Sequence, residues 1–332
     1  MMLALLLAIT GAVFNATTGE VQPNATVTLY RLSREAGLES VESVKSGPGG
    51  RFEIRQEIAG PRLLQTAWDG VTYNHMLPPG ASTADLRLEV FNASRDSGAA
   101  AVSQHMMLFE LSKGDLQVSD TYVFQNSGKI TWNDPASGAL KFFLPPGARD
   151  ATVNATAPQG MPIRRAPEKT AAANVHMVDF PIKPGETRID VTYSLAFGPG
   201  STFEGRRLFP GKGPTRLIAP AGVTLKGDLV ESLGQEPRTQ ATIYDVKGSP
   251  FRVTIEGSGM LRPPAGPESG APEISEIMPR LYGSIDGSAS TLDKMWAAKW
   301  VLVLLFGILT LGFLLLYRAQ SAEVRTSGRG QS

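Results

Sequence analysis

The sequence predicts an all-β protein made of tandem antiparallel β-sandwiches, with one transmembrane helix near the C-terminal end. Segments in which apolar and polar residues alternate recur from residue 9 to residue 262, as half-buried strands do. The 35 glycines and 24 prolines exceed average usage and separate these segments as turns. A single stretch, residues 300–317, is apolar throughout.

The overall composition excludes several classes of function. The formal net charge is only +1, so the chain has no excess of positive charge to attract nucleic acid, and we expect no nucleic-acid partner. The absence of cysteine excludes disulfides, thiolate catalysis, iron–sulfur clusters and cysteine zinc sites.

The segment Trp300–Tyr317 contains no charged residue over 18 positions. At about 1.5 Å per residue it nearly crosses a hydrocarbon layer of about 30 Å. Aromatic residues stand at its ends, where membrane interfaces favour them, and Trp296 extends the span to residues 296–317. We therefore expect contact with membrane lipid through residues 296–317, followed by a cytoplasmic tail, residues 318–332.

The orientation of this span depends on weaker signals. Residues 1–8, MMLALLLA, are apolar but too short to cross a bilayer. They are either a reduced signal segment or an early start of the first strand. Three basic residues flank the span on each side, so the positive-inside count does not decide. The nature of the β-domains favours a single-pass protein of the cytoplasmic (inner) membrane, with its ectodomain in the periplasm or outside the cell.

Residues 9–91 have the pattern of one small β-sandwich. An Asp69-Gly70 pair between two apolar segments predicts a hairpin turn. The predicted strands of this region lie within residues 9–14, 25–30, 51–58, 63–68 and 84–91.

The opening of this region resembles the carboxypeptidase-regulatory-like, transthyretin-like domain. The resemblance implies a seven-stranded sandwich grouped with carbohydrate-binding-like folds, and an accessory module without catalytic residues. The residues that carry it are Ile9, Gly11, Val13, Ala16 to Gly19, Asn24, Ala25, Val27 and Leu29, and then Gly50, Phe52 and Ile54.

Residues 102–200 predict a second sandwich of immunoglobulin-like size. Residues 203–262 hold shorter strand candidates and form either a third small β-region or a continuation of the second sandwich. Residues 263–294, which begin with PPAGPESGAP, predict a linker and stalk before the membrane. The candidate strands are 106–111, 116–125, 140–144, 151–155, 175–182, 187–197, 215–219, 223–230, 239–246 and 250–256.

No motif predicts a catalytic, cofactor-binding or metal-binding residue, and we expect no cofactor. The three histidines, His75, His105 and His176, lie far apart and lack metal-site spacing. A nucleophile elbow, a phosphate-binding loop and a dinucleotide-binding loop are also missing from the sequence. The aspartates near turns lack calcium-loop spacing and are interpreted as turn and capping residues: Asp115, Asp120, Asp134 and Asp150.

Aromatic residues are the remaining indication of function. Trp132, Trp68 and Tyr122 are candidates for stacking on a ligand such as a sugar ring, with core or edge packing as the alternative. Tyr73 and Tyr282 belong to the same group.

The sequence thus favours a noncatalytic, membrane-anchored extracytoplasmic protein that binds another envelope protein or acts as a scaffold. A carbohydrate-binding surface module is the alternative, and a hydrolase with a dispersed site is less favoured.

Overall fold

The all-β prediction is confirmed, because every regular element of the described residues is a β-strand. The described part of the chain contains no helix with the length and hydropathy needed to cross a membrane. The predicted stalk, membrane span and tail, residues 1–7 and Tyr282 lie outside it. The computed structural model describes residues 8–33, 37–56, 60–112, 114–198 and 201–261.

Within the described residues, the first sandwich comprises eight strands in two sheets. In one sheet, β1 lies between β2, β5 and β8, and the other sheet has the order β4-β3-β6-β7. The inner faces of both sheets form one apolar cluster, which includes Ile9, Val13, Leu29 and Leu64, all fully buried. The strands are β1 Ile9–Asn15, β2 Glu20–Val21, β3 Thr26–Ser33, β4 Gly37–Lys45, β5 Arg51–Ile54, β6 Arg62–Trp68, β7 Val71–Leu77 and β8 Leu86–Val90.

The hairpin predicted at Asp69-Gly70 is confirmed. Both residues have positive φ, 49° and 74°, and they join β6 to β7 with Trp68 opposite Val71. Consecutive positive φ angles are the backbone of the two-residue turn that Asp-Gly favours.

Gly11 permits a pairing that the alternation pattern does not indicate. Strand β1 pairs with β8 in parallel, with Gly11 opposite Leu86. A Cβ atom on Gly11 would lie 2.2 Å from the carbonyl oxygen of Leu86. Glycine is therefore required here because the two backbones approach too closely for any side chain.

In its described residues, the second β-region has one long sheet of eight strands in the order β15-β14-β18-β11-β10-β20-β23-β22. Two small sheets, β13-β17-β16 and β19-β24-β21, complete it. The strands are β9 Ala93–Ser94, β10 Ala100–Ser112, β11 Asp115–Asn126, β12 Thr131–Trp132, β13 Leu140–Phe143, β14 Arg149–Thr156, β15 Ile163–Arg165, β16 Glu168–Lys169, β17 Val175–Val178, β18 Gly185–Ala196, β19 Thr202–Gly205, β20 Thr215–Ala219, β21 Val223–Lys226, β22 Val230–Gln235, β23 Thr242–Val246 and β24 Phe251–Gly257.

Strands from residues 203–262 join the same sheet and the same core as the strands before them. Strand β20 pairs with β10 in parallel, and β23 and β22 follow it in the sheet. One apolar cluster extends over the large sheet and both small sheets, from Ala100 to Ile255. The parallel pairs are a departure from the purely antiparallel arrangement that the sequence predicts.

We expect Gly11→Ala to lower the free energy of unfolding by about 2–3 kcal/mol, since β1 and β8 must move apart to fit a methyl group. Urea titration of the full chain in detergent, followed by tryptophan fluorescence, measures this loss. Gly49→Ala is the matched control, because a Cβ at Gly49 has no atom within 4 Å. It should change the free energy by less than about 0.5 kcal/mol. Equal effects of the two substitutions would show that the β1–β8 contact does not limit residue size.

Candidate functional site

A polar cluster is buried in the long sheet at the centre of the second β-region. His105 of β10 lies opposite Tyr122 of β11 and opposite Thr215 of β20. Asp120 and Tyr122 are two residues apart on β11, so both side chains point to the same face of the sheet. Three adjacent strands therefore bring the four side chains together.

The side chains form a continuous chain of hydrogen bonds. His105 Nε2 lies 2.6 Å from Asp120 Oδ1, and His105 Nδ1 lies 3.1 Å from Thr215 Oγ1. The Tyr122 hydroxyl donates to Asp120 Oδ2 at 2.6 Å, and Arg207 Nη2 donates to Thr215 Oγ1 at 2.8 Å. All partners are satisfied when the Thr215 hydroxyl donates to Nδ1 and Nε2–H donates to the carboxylate.

The hydrogen-bonded side chains of Thr215, His105 and Asp120 correspond in chemical type to the nucleophile, the base and the orienting acid of a catalytic triad. Access is the decisive difference, because these residues are only 1%, 2% and 2% exposed. A substrate would have to open the sheet to reach the Thr215 hydroxyl. The geometry instead suits a buried hydrogen-bond network that fixes the relative positions of three strands.

Two buried tyrosines, Tyr122 and Tyr193, are affected by the charge of Asp120 in this network. Burial, together with the charge of Asp120, raises the pKa of Tyr122 and of Tyr193 well above the ordinary value. The Tyr193 hydroxyl is buried and has no hydrogen-bond partner among the described residues. The His105 ring stacks on Tyr122 at 4.5 Å and meets Phe209 edge-on at 4.9 Å, which closes the cluster on its apolar side.

The first sandwich and the second β-region are bonded to each other at a joint, residues 92–94 with residues 131–132. Strand β9 pairs in parallel with β12 there. The Asn92 amide oxygen accepts from Asn15 Nδ2 at 2.7 Å and from Trp68 Nε1 at 3.2 Å. The Asn92 carbonyl accepts from Thr131 N at 2.9 Å. Residues 92–94 are thus held from both sides.

A cleft of about 410 Å³ opens beside this joint. Its first wall is β7 and β8 of the first sandwich, and its second wall is two turns that flank β18 and β14. Gly185, at φ 104°, lets the two turns pack closely, since a Cβ there would lie 3.2 Å from Pro158. The lining residues are Thr66, Tyr73, Asn74, His75, Arg87, Leu88, Glu89, Phe91, Pro158, Gln159, Lys183 and Pro184.

Lys183 is the unusual residue of this cleft. Its Nζ lies 5.0 Å from the centre of the Tyr73 ring, close enough for a cation–π contact. Burial lowers the pKa of the Lys183 ammonium to about 8. The Tyr73 ring is fixed below it, because its hydroxyl bonds the Phe91 carbonyl and Thr131 Oγ1, both at 2.9 Å. Burial raises the pKa of Tyr73 to about 12, so the hydroxyl stays protonated.

The residues predicted to stack on a ligand lie in different places. Tyr122 is 2% exposed and belongs to the buried network, and Trp132 is 9% exposed with its Nε1 donating to the Arg95 carbonyl at 3.1 Å. Neither ring presents a free face to solvent, so both have packing roles in this structure. Trp68 is half-buried and its Nε1 is bonded to Asn92 in the joint.

The three histidines are not brought together. His75 is exposed in the cleft, His105 is in the buried network, and His176 lies in a small sheet, where burial and the charge of Lys169 lower its pKa. In the described part of the chain, no three histidine or acidic residues are arranged to hold a metal ion. The interpretation of Asp120 as a turn or capping residue is wrong, because Asp120 lies inside β11 and is buried. The roles of Asn92 and Lys183 were not predicted, since each stands beside unremarkable neighbours in the chain.

No family model and no curated protein matches the chain. Among solved structures, the chain is similar to an M1 zinc metallopeptidase from Deinococcus radiodurans, at 13% identity and a TM-score of 0.26. A variant of that peptidase bound to a Tyr-Ser-Ala substrate gives 14% identity and a TM-score of 0.27. Both likenesses cover 47% of this chain and 42% of the other, so the chain spans about two fifths of their length. Neither likeness bears on the chemistry of this chain.

We expect Tyr122→Phe to lower the free energy of unfolding by about 1.5–3 kcal/mol, because the buried Asp120 carboxylate loses a donor. Tyr30→Phe is the control, since the Tyr30 hydroxyl is 3.4 Å from Gln65 Oε1 on a half-exposed ring. It should cost less than about 0.5 kcal/mol. Urea titration of both variants compares the two losses, and a Tyr122→Phe loss no larger than the control would contradict the network's role.

Proposed function

We propose that this chain is a noncatalytic, membrane-anchored protein-interaction module of the cell envelope. Residues 296–317 anchor it in the cytoplasmic membrane, and the ectodomain lies in the periplasm or outside the cell. The first sandwich is of the transthyretin-like class, and an immunoglobulin-like sandwich follows it. The partner is another envelope protein, which adds an extended segment to an edge of the first sandwich.

The observation that carries this proposal is the open edge of β4. Strand β4 spans nine residues and pairs only with β3, so its outer backbone groups face no other strand in the described part of the chain. Leu38 on this strand is 47% exposed, and Ser40 and Ser43 are exposed as well. An uncovered edge of this length offers main-chain donors and acceptors to an incoming strand.

The edges of the long sheet are protected by comparison. At one end, β15 has three residues and lies between Pro162 and Pro167, which donate no backbone hydrogen bond. At the other end, β22 has six residues and is interrupted by a bulge between Ser232 and Gly234. Short edges and prolines are among the usual protections against strand addition. Strand β4 also has a bulge, at Val41, but it is longer than β15 and β22 and contains no proline, which supports it as the recruiting edge.

The buried network supports the noncatalytic part of the proposal. Thr215, His105 and Asp120, which lie in the order nucleophile, base and acid, are all buried. Arg207 and the sheet cover the Thr215 hydroxyl. The carbohydrate alternative depended on exposed stacking rings, and the burial of Tyr122 and Trp132 removes two of its five candidates from the surface. No specific contact favours either alternative over protein recruitment.

Photo-crosslinking in intact cells tests the proposal. A benzophenone amino acid is placed at Ser40 and, separately, at Ser43 of the full chain. The control position is Gln117, which is exposed on β11 but lies between two paired strands. We expect a discrete crosslinked partner from both β4 positions and none from Gln117.

Mass spectrometry of the crosslinked peptides provides the stricter criterion. Because the bulge at Val41 places Ser43 opposite Thr28 and Ser40 opposite Tyr30, an added strand should be crosslinked at two sites two or three residues apart. Crosslinks that are absent, that appear equally at Gln117, or that scatter over the partner without this spacing would refute recruitment by β4.

A further inference from the structure

The cleft beside the joint has the form of a small-ligand site. Its volume of about 410 Å³ lies in the range of ligand pockets, and it lies between two packed β-assemblies, where such pockets are frequent. Both walls are held by contacts unrelated to any ligand: the Tyr73 hydroxyl bonds across the joint, and Gly185 packs on Pro158. The cavity is therefore preformed, which lowers the cost of binding.

The charge balance of the cleft favours an anion. Within the described residues, Lys183 Nζ forms no ion pair and no side-chain hydrogen bond, although burial has removed much of its water. The carboxylate in the same cleft, Glu89, is engaged by Arg87 at 3.1 Å. A partly buried ammonium without a counter-charge is costly, and an incoming anion relieves this cost.

The lining defines which anion fits. The half-buried Phe91, Pro158 and Pro184 side chains give the cleft its apolar surface next to the ammonium, whereas Leu88 and Tyr73 are buried in the first core. Glu89 and Arg87 neutralise each other, so Lys183 is left as the one positive charge of the lining without a counter-charge among the described residues. These features together suit one negative charge on an apolar body.

We propose that this cleft binds a monocarboxylate with an apolar body, with the carboxylate on Lys183 and the body on the Phe91 ring and the two prolines, Pro158 and Pro184. The carboxylate is that of a small organic acid or that of the last residue of a polypeptide. Because the cleft lies on the β7 side of the first sandwich, its occupancy is independent of recruitment at β4.

Calorimetric titration of the full chain in detergent at pH 7 tests this site with four probes. Benzoate represents the small acid, and N-acetylphenylalanine represents a chain terminus. N-acetylphenylalanine amide removes the charge, and phenyl phosphate adds a second one. We expect at least one carboxylate to bind in the millimolar range or tighter, the amide not to bind, and phenyl phosphate to bind more weakly than that carboxylate.

The variants locate the binding. Lys183→Gln should weaken carboxylate binding at least tenfold, whereas Lys141→Gln, which removes an exposed lysine from β13, should leave it unchanged. The tighter of the two carboxylates identifies the source of the ligand. The proposal is overturned if neither carboxylate binds, if phenyl phosphate binds most tightly, if the amide binds equally well, or if Lys183→Gln has no more effect than Lys141→Gln.

The pH dependence gives an independent readout. An ammonium with a pKa of about 8 is about 90% protonated at pH 7 and about 10% protonated at pH 9, so affinity should fall about tenfold between these values. Tyr73, His75, Arg87 and Glu89 also face the cleft. His75→Gln should retain the same dependence on pH, and a dependence that disappears in this variant would assign the effect to the histidine and contradict the role of Lys183.

Discussion

The joint around Asn92 is the constraint on which the proposed functions depend. The side-chain oxygen of Asn92 accepts hydrogen bonds from two residues of the first sandwich. The backbone carbonyl of Asn92 accepts a third, from Thr131 N of the second β-region. Hydrogen bonds in a partly buried setting fix orientation more than they add stability, because each replaces a bond to water. As a consequence, the first sandwich and the second β-region, each with its own apolar core, keep one relative orientation. The same joint holds the Tyr73 ring and so shapes one wall of the cleft.

The second β-region shows how a polar cluster is used inside a core. The Asp120 carboxylate is withdrawn from water and receives two short hydrogen bonds, from His105 and Tyr122. Removing one partner from such a cluster is far more costly than the net contribution of the intact network, which makes the arrangement specific. Because each partner comes from a defined position of β10, β11 or β20, the network fixes the register of these strands. This role in strand register explains why the hydrogen-bonded Thr215, His105 and Asp120, which are arranged like catalytic residues, lie where no substrate reaches them.

Much of the fold was predictable because alternation records which face of a strand is buried. The predicted segments 106–111 and 116–125 lie inside β10 and β11, and the turn at Asp69-Gly70 follows from its backbone preference. Alternation does not record which strands become neighbours. The parallel pairing of His105 with Thr215 joins residues 110 positions apart, and no local pattern indicates it.

The candidate sites were less predictable for the same reason. Asp120 stands near a turn in the sequence, but its environment is decided by strands on either side of it. Lys183 precedes a Pro-Gly turn, and its isolation from carboxylates appears only once β7 and β8 are placed against that turn. The burial of Trp132 likewise follows from the joint, whose β9–β12 pairing is two residues long.

We infer that the joint holds the first sandwich and the second β-region as one rigid body. Because the chain lacks cysteine, two introduced cysteines carry spin labels without competition. Double electron–electron resonance between labels at Ser40 and Gln117 measures the distance across the joint. Labels at Gln117 and Ser232, which lie in one sheet, give the reference width. A rigid joint should give one distance peak, as narrow as the reference; a broad or multiple distribution would contradict this rigidity.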